Sequence, residues 1–383
     1  MDAKVCAIFN YAPHYRESIY LLMEKELNAY FYFGDMLKTN IKKADYSIFK
    51  NKVVEVNNIF LPGPLYYQKG VLRLLFKKYD KYIITGETYS ISTFIFLLLA
   101  KVIGKDVYLW GHGCRGNEAA INMFIKKIIK LIISVSKNFN MISSYLYTGF
   151  FLYGNYAKEL LIEKGFNKDK LHIIYNSLDY DAQLSYRKKM KSSNIYHEHF
   201  GNDNKTIYFI GRLNLSKKLD MLIDALALLI ERGKHYNLVL IGGGDSAEFL
   251  KEYALQKGID NIWFYGECYD EGSLSNLIYN ADLCVSPGNV GLTAIHSLVY
   301  GTPVITHNNF MKQGPEFEAI VDNKTGLFFI HNDVLSLAEK IEEWFDIMKD
   351  SSREEISNRC YEVIDQKYNP HRQIEILKRG MKI

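Results

Sequence analysis

The strongest constraint on the fold is a rhythm of short apolar runs alternating with helical segments, which occurs twice along the chain. Strands that are buried on both faces form continuous apolar runs, and helices between such strands are typical of parallel sheets. The sequence therefore predicts two α/β domains, each built on a doubly wound parallel sheet. The predicted strands are 4–9, 29–33, 52–56, 81–85, 106–110, 150–153 and 171–175, followed by 206–210, 237–241, 261–265, 283–286 and 303–306.

The predicted domain boundaries follow the places where this rhythm stops and restarts. Residues 1–180 are predicted to form a first Rossmann-like domain and residues 205–365 a second. The stretch 181–204 is rich in polar and charged residues without an apolar period, so it is predicted to be a linker with a surface segment. A terminal helix within 366–383 is predicted to pack back toward the first domain. Ligands of such sheets lie beyond the carboxyl ends of the strands, so the loops there should carry the chemistry.

Composition and charge indicate the cellular compartment of the protein and the kind of surface that it could bind. Five scattered cysteines without a paired motif suggest neither a disulfide framework nor a zinc site. The N-terminus has no signal pattern and the longest apolar run, 94–100, is too short to span a bilayer, so a cytoplasmic location is expected. Residues 1–200 hold 28 basic against 17 acidic residues, whereas 201–383 hold 19 against 26. The basic half is either a solvated surface or one that meets an anionic membrane.

Two loops in the second half have the residues needed to hold a diphosphate. Gly211 and Arg212 follow the strand 206–210, and Lys217 lies just before the next helix. The guanidinium of Arg212 and the ammonium of Lys217 can both reach phosphate oxygens at the carboxyl end of this strand. Within 286–304, a glycine-rich turn leads into a helix whose free backbone N–H groups can bind phosphate without a metal. The predicted contacts in this second loop are Asn289, Val290, Gly291, Leu292 and Thr293.

A third glycine-rich turn, 242–245, allows a different interpretation. With Ala247 it imitates a dinucleotide-binding fingerprint, and Glu267 then takes the place of the acid that binds the ribose. The turn follows the second strand of its domain rather than the first, which weakens that match. Two other interpretations remain. The turn could serve only to let the next helix pack closely on the sheet, or Gly243 could form a surface on which a bound nucleotide lies. An NAD(P)-dependent oxidoreductase therefore stays open as a less favoured function.

Taken together, the second-half motifs resemble the retaining glycosyltransferases of family 4. They comprise the 211–217 loop, the glycine turn, the helix start at Gly291, the stop at 301–304, and Glu318 with 325–327; the segment 174–179 is similar to the family's domain junction. The resemblance implies the GT-B fold, in which two Rossmann-like domains face each other across a cleft. It also implies transfer of a sugar from a UDP- or GDP-linked donor to a glycan or lipid-linked glycan, as in bacterial surface polysaccharide synthesis. No metal or other cofactor is expected.

The sequence departs from the family pattern at two positions. The family usually has two glutamates eight residues apart, and this chain has Gly288 and His296 there. A ring nitrogen of His296 can still bind a ribose hydroxyl. Alternatively, His296 is a core residue whose ring nitrogens are hydrogen-bonded within the protein. Because catalysis in this family is expected to depend on electrostatic stabilisation by Arg212 and Lys217, the missing carboxylates do not exclude turnover. A protein that binds a nucleotide sugar or glycan without turnover is the other alternative.

The first half of the chain is expected to supply the residues on the acceptor side of the active site. His112 lies between glycines at the end of a strand, and the resemblance implies that it faces the donor sugar and is catalytic. His14, Tyr15 and Arg16 follow the first strand and are predicted to line the acceptor side together with Glu118. The segment 121–137 alternates lysines with a broad apolar face, which is typical of a helix covering a sheet or of a helix at a membrane surface.

Overall fold

The computed structural model describes residues 3–37, 41–87, 89–113 and 146–383. These residues divide into two compact units. Unit 1 consists of Met1–Asp179 with Asn369–Ile383, and unit 2 consists of Tyr180–Tyr368. Glu118 and the segment 121–137 lie outside the described residues.

Unit 1 is built on a parallel sheet of seven strands in the order β3-β2-β1-β6-β7-β8-β9. A two-stranded antiparallel hairpin, β4 and β5, lies between β3 and β6 in the chain. The strands are β1 Val5–Phe9, β2 Ala29–Gly34, β3 Val54–Val56, β4 Asn58–Phe60, β5 Tyr66–Gln68, β6 Lys81–Thr85, β7 Asp106–Gly111, β8 Gly149–Leu152 and β9 Leu171–Ile173. The helices of this unit are α1 Glu17–Leu27, α2 Ile91–Val102, α3 Asn155–Glu163 and α12 Pro370–Met381.

Alternate side chains of the unit 1 strands enter two separate cores, as expected for a sheet covered on both faces. From β1, Val5 and Ala7 pack with α1 and α12, whereas Cys6 and Ile8 pack with α2. The C-terminal helix α12 contributes Leu377 to the first of these cores. Unit 1 is therefore completed by a segment from the far end of the chain.

Unit 2 is built on a parallel sheet of six strands in the order β12-β11-β10-β13-β14-β15. This is the Rossmann order, which reverses direction between β10 and β13. The strands are β10 Thr206–Ile210, β11 Asn237–Ile241, β12 Ile262–Gly266, β13 Leu283–Ser286, β14 Val304–His307 and β15 Gly326–Phe329. The helices are α4 Tyr180–Arg187, α5 Ile195–Phe200, α6 Leu219–Glu231, α7 Ala247–Gln256, α8 Glu271–Asn280, α9 Thr293–Val299, α10 Val334–Met348 and α11 Arg353–Lys367.

The structure confirms the predicted α/β class with two parallel sheets. The predicted linker and surface segment over 181–204 contains α4 and α5, and both of these helices belong to unit 2. Each helix is short and buries few side chains; Gln183 and Tyr196 are the buried residues of α4 and α5. Because the buried residue of α4 is polar, the sequence of this segment shows no helical spacing of apolar residues.

Candidate functional site

The reversal of strand order in unit 2 brings the loops after β10 and β13 to one place, where ligands of doubly wound sheets bind. The loop after β10 begins at Gly211, whose φ of 144° is favourable only for glycine. Behind it lies the 242–245 turn: a Cβ atom on Gly242 would stand 2.0 Å from the carbonyl oxygen of Gly211. Leu213 N–H also donates to the carbonyl of Gly243 at 2.8 Å. The third glycine turn therefore supports the Gly211 loop through backbone packing.

Lys217 joins the loop after β10 to the turn after β13. Its Nζ atom donates to the carbonyl oxygen of Asn289 at 2.6 Å, and Gly288 N–H donates back to the carbonyl of Lys217 at 3.0 Å. Burial lowers the pKa of Lys217, and the nearby carboxylate of Glu316 opposes that shift. Arg212, in the same loop, is exposed. The two predicted phosphate-binding cations thus lie on one loop, one fixed by the turn and one facing solvent.

The turn between β13 and α9 differs in detail from the prediction. Val290 N–H already donates to Oε1 of Gln313 at 2.9 Å, so it is paired in this structure. Gly291 has a φ of 50° and forms a turn with Leu292 before α9 begins at Thr293. The Thr293 hydroxyl donates to the carbonyl of Ile210 at 2.9 Å, which ties the start of α9 to the end of β10. The helix start therefore lies at the strand reversal.

Sequence reasoning missed two side chains that shape this turn. Gln313 also donates to the Thr306 hydroxyl at 2.8 Å and to the carbonyl of His307 at 3.1 Å, which holds the turn against β14. Glu316 is 5% exposed and lies on the same short helix as the predicted Glu318, which is half-buried. Neither Gln313 nor Glu316 belongs to a motif that the sequence made visible.

The ring of His296 lies beside a carboxylate from another helix. Its Nε2 atom lies 3.0 Å from Oε1 of Glu271, the first residue of α8. The same oxygen accepts from the Tyr300 hydroxyl at 2.6 Å and from Gln183 Nε2 at 3.0 Å. Burial alone would raise the pKa of Glu271, but the bonds from His296, Tyr300 and Gln183 outweigh it and lower the pKa to about 2. A carboxylate thus stands beside His296, supplied by another helix.

Replacing Glu271 with glutamine is expected to lower the free energy of unfolding by about 2 kcal/mol at pH 7. Because the pKa of Glu271 is lowered in the folded state, its stabilisation is present above the ordinary glutamate pKa and is lost as the pH falls toward 2. Urea unfolding of the native chain and of Glu271→Gln between pH 3 and 7 measures this. The difference should shrink as the pH falls, and a difference independent of pH would contradict it.

In unit 1, two of the predicted site residues come together around one aromatic ring. His112 follows β7, and its ring centroid lies 4.8 Å from that of Tyr153. The Arg16 guanidinium lies 5.0 Å from the same ring centroid. His14 is exposed, with Nδ1 3.2 Å from the carbonyl of Lys42, and Tyr15 packs edge-on against His14. The structure thus groups Arg16 with His112 at the carboxyl edge of the unit 1 sheet.

Two Rossmann-like parallel sheets with loops of this kind at their carboxyl edges define the GT-B fold. Within unit 2, residues 191–363 match the family model described as Glycosyl transferases group 1. The structure of Anabaena Alr3699/HepE in complex with UDP superposes on the chain with a TM-score of 0.68 at 14% identity, covering 99% of both chains. At that identity the likeness concerns the fold.

Two relatives by sequence carry glycosyltransferase names. An uncharacterized glycosyltransferase of Methanocaldococcus jannaschii is 26% identical over 211 residues, which are 53% of this chain and 51% of that protein. The GDP-mannose-dependent alpha-(1-6)-phosphatidylinositol dimannoside mannosyltransferase of Mycobacterium tuberculosis is 37% identical over 98 residues, a quarter of each chain. The first match thus spans about half of the relative's length.

The described ranges contain neither a candidate metal site nor a helix that could span a membrane. Within those ranges, no three His, Cys, Asp or Glu side chains are grouped so as to hold a metal ion. In the same part of the chain, no helix combines the length and the apolar character needed to cross a bilayer.

Proposed function

We propose that the protein is a glycosyltransferase that moves a hexosyl group from a nucleotide sugar to an acceptor with retention of configuration. The observation that carries this proposal is the joined pair of loops at the strand reversal of unit 2. There Lys217, Arg212 and the start of α9 converge where a diphosphate would bind. The match of residues 191–363 to the glycosyltransferase model and the UDP complex of the Anabaena structure support the same assignment.

The proposed reaction breaks the bond between the anomeric carbon and the diphosphate oxygen, and the electron pair leaves with the diphosphate. Arg212 and Lys217 stabilise the negative charge that develops on that group, as preorganised cations do in other active sites. The acceptor hydroxyl attacks the anomeric carbon from the face that the diphosphate leaves, and its proton passes to a diphosphate oxygen. This order of events retains the configuration and assigns the charge stabilisation to side chains instead of a metal ion.

The proposal also assigns residues to the donor ribose, the donor sugar and the acceptor. The Glu271–His296 pair is assigned to the donor ribose and Glu318 to the donor sugar, while His112 of unit 1 is assigned to the donor sugar from the acceptor side. The acceptor is proposed to be a glycan or lipid-linked glycan of a bacterial surface polysaccharide. The excess of basic residues in 1–200 supports peripheral contact with an anionic membrane on its cytoplasmic face.

A panel of UDP- and GDP-linked sugars tests the function directly. Because a bound donor stabilises the folded state by mass action, the donor that fits should raise the Tm of the full chain. With that donor and an acceptor, turnover releases free nucleoside diphosphate. A Tm increase without release in the presence of membrane-derived glycans would favour a protein that binds without turnover, and a response to NAD(P)H alone would favour an oxidoreductase.

A further inference from the structure

At the carboxyl edge of unit 1 lies a partly buried arginine, Arg16, which has no carboxylate partner among the described residues. Arg16 ends the short helix His14–Arg16, which follows β1. Its Nε atom is buried, and no acceptor among the described residues takes its proton. An arginine stays protonated in proteins, so the charge of this side chain persists in the folded state.

The groups around the guanidinium are neutral. It lies 5.0 Å from the ring centroid of Tyr153 and 5.9 Å from that of Tyr15, with the Tyr20 side chain also close by. Burial raises the pKa of Tyr20 to about 12 and raises the pKa of Tyr153 as well. These phenols therefore stay protonated near neutral pH, so they give Arg16 a cation–π attraction and neutral hydrogen-bond acceptors but no negative charge.

Two carboxylates of unit 1, the adjacent Glu17 and Glu87 just after β6, accept hydrogen bonds from other groups. Glu17, the next residue, accepts from Asp45 N–H at 2.9 Å. Glu87, which follows β6, accepts from Asn10 Nδ2 at 2.8 Å and from the Tyr66 hydroxyl at 3.2 Å. Within the described part of the chain, no carboxylate forms an ion pair with Arg16. A desolvated cation without an anionic partner opposes folding, and binding of an anion would remove that penalty.

The position of Arg16 in the fold is one where ligands bind. The unit 1 sheet reverses strand order between β1 and β6, and Arg16 lies on the loop after β1. Tyr153, which its guanidinium contacts, also packs against His112 at the end of β7. The planar fork of an arginine matches two oxygens of a phosphate, whereas a lysine offers only a point charge.

We propose that Arg16 of unit 1 binds a phosphate-type anion beside His112. The inference rests on the proposed function insofar as the anion belongs to a substrate. Its source is either an acceptor joined to its carrier through a phosphate or diphosphate, or the diphosphate of the donor. Both sources offer the same oxygens to the guanidinium, so separate titrations must distinguish them.

Calorimetric titration of the full chain with inorganic pyrophosphate tests the site. Lys217→Ala with Arg212→Ala removes both predicted unit 2 cations, so the further loss that a change at Arg16 causes in this background reports on unit 1. Adding Arg16→Gln to this double variant should weaken pyrophosphate binding at least about tenfold, as expected for a lost charged hydrogen-bond pair. Arg73→Gln, at an exposed position of unit 1, changes the net charge equally and should leave the affinity unaltered. Equal affinities with and without Arg16 would overturn the proposal.

A stability measurement distinguishes a ligand site from a structural arginine. Methionine keeps much of the apolar volume of arginine without its charge. If Arg16 serves an anion, Arg16→Met should have a Tm equal to or above that of the native chain without ligand, because a buried charge has been removed. The same variant should lose the rise in Tm that the native chain shows with pyrophosphate. A lower Tm of the ligand-free variant would instead assign Arg16 to the fold and overturn the proposal.

Titration with UDP and GDP identifies the source of the anion. An unchanged nucleotide affinity in Arg16→Gln, with pyrophosphate binding lost, assigns the site to the acceptor. A nucleotide affinity about tenfold weaker assigns it to the diphosphate of the donor. If the native chain binds pyrophosphate through Arg16 but neither nucleotide, the anion site stands and the proposed glycosyltransferase function fails.

Discussion

Replacing Lys217 with alanine is expected to lower kcat/KM for the nucleotide sugar by about 10²- to 10³-fold, the usual cost of removing one preorganised charge stabiliser. The half-buried Lys217 ammonium is held by the carbonyl of Asn289, so it needs little reorganisation when charge develops on the proposed leaving group. The loss should fall mainly on kcat, because in the proposed reaction the interaction strengthens as the bond to the diphosphate breaks. Steady-state kinetics with the donor found by the panel measures it.

Lys218→Ala is the matched control for this prediction. Lys218 is the adjacent residue, but its Nζ donates to Oδ1 of Asn332, beyond β15. Its backbone has a φ of 53°, and alanine tolerates that conformation no better than lysine does, so the substitution tests the side chain alone. Turnover should fall only a few-fold. Equal losses in the two variants would mean that general positive charge, and not the position of Lys217, supports the reaction.

Much of the fold could be predicted because strands buried on both faces are continuous apolar runs. The strands 81–85, 206–210 and 237–241 were predicted with the bounds that the structure has. Elements with few buried apolar residues were not predicted. The hairpin of β4 and β5 has three residues in each strand, and α11 has a low mean hydropathy, so neither has a clear apolar period.

The site was predictable only where its chemistry is local in the chain. A lysine at the start of a helix and a glycine-rich turn are visible in the sequence, and the structure joins Lys217 to Asn289. The partner of His296 was not visible, because Glu271 lies 25 residues away on another helix. The burial of Arg16 depends in the same way on Tyr153, which follows β8. Long-range contacts of this kind have no local pattern, so composition and spacing cannot reveal them.

Substitution of Gly288 is the second change with a large expected effect, because the turn after β13 packs closely against the 211–217 loop. A Cβ atom there would stand 2.2 Å from the carbonyl oxygen of Ser216 and 2.8 Å from the Cα of Lys217, both of which are backbone. Gly288→Ala must therefore push the turn away from the 211–217 loop and separate Lys217 from the Asn289 carbonyl. The free energy of unfolding should fall by about 3 kcal/mol, as for other overpacked sites, and turnover should fall with it.

Gly272→Ala is the control, because its Cβ would meet only side-chain atoms, at 3.3 Å, within the first turn of α8. Alanine favours a helix over glycine by roughly 1 kcal/mol, so its stability should change by no more than about that amount. Gly288→Glu would place a carboxylate at this position, yet it carries the same clash and should lose activity. Urea unfolding and kcat/KM measure both effects. A native-like Gly288→Glu with faster turnover would show that the turn can open and that the contact between the loops is dispensable.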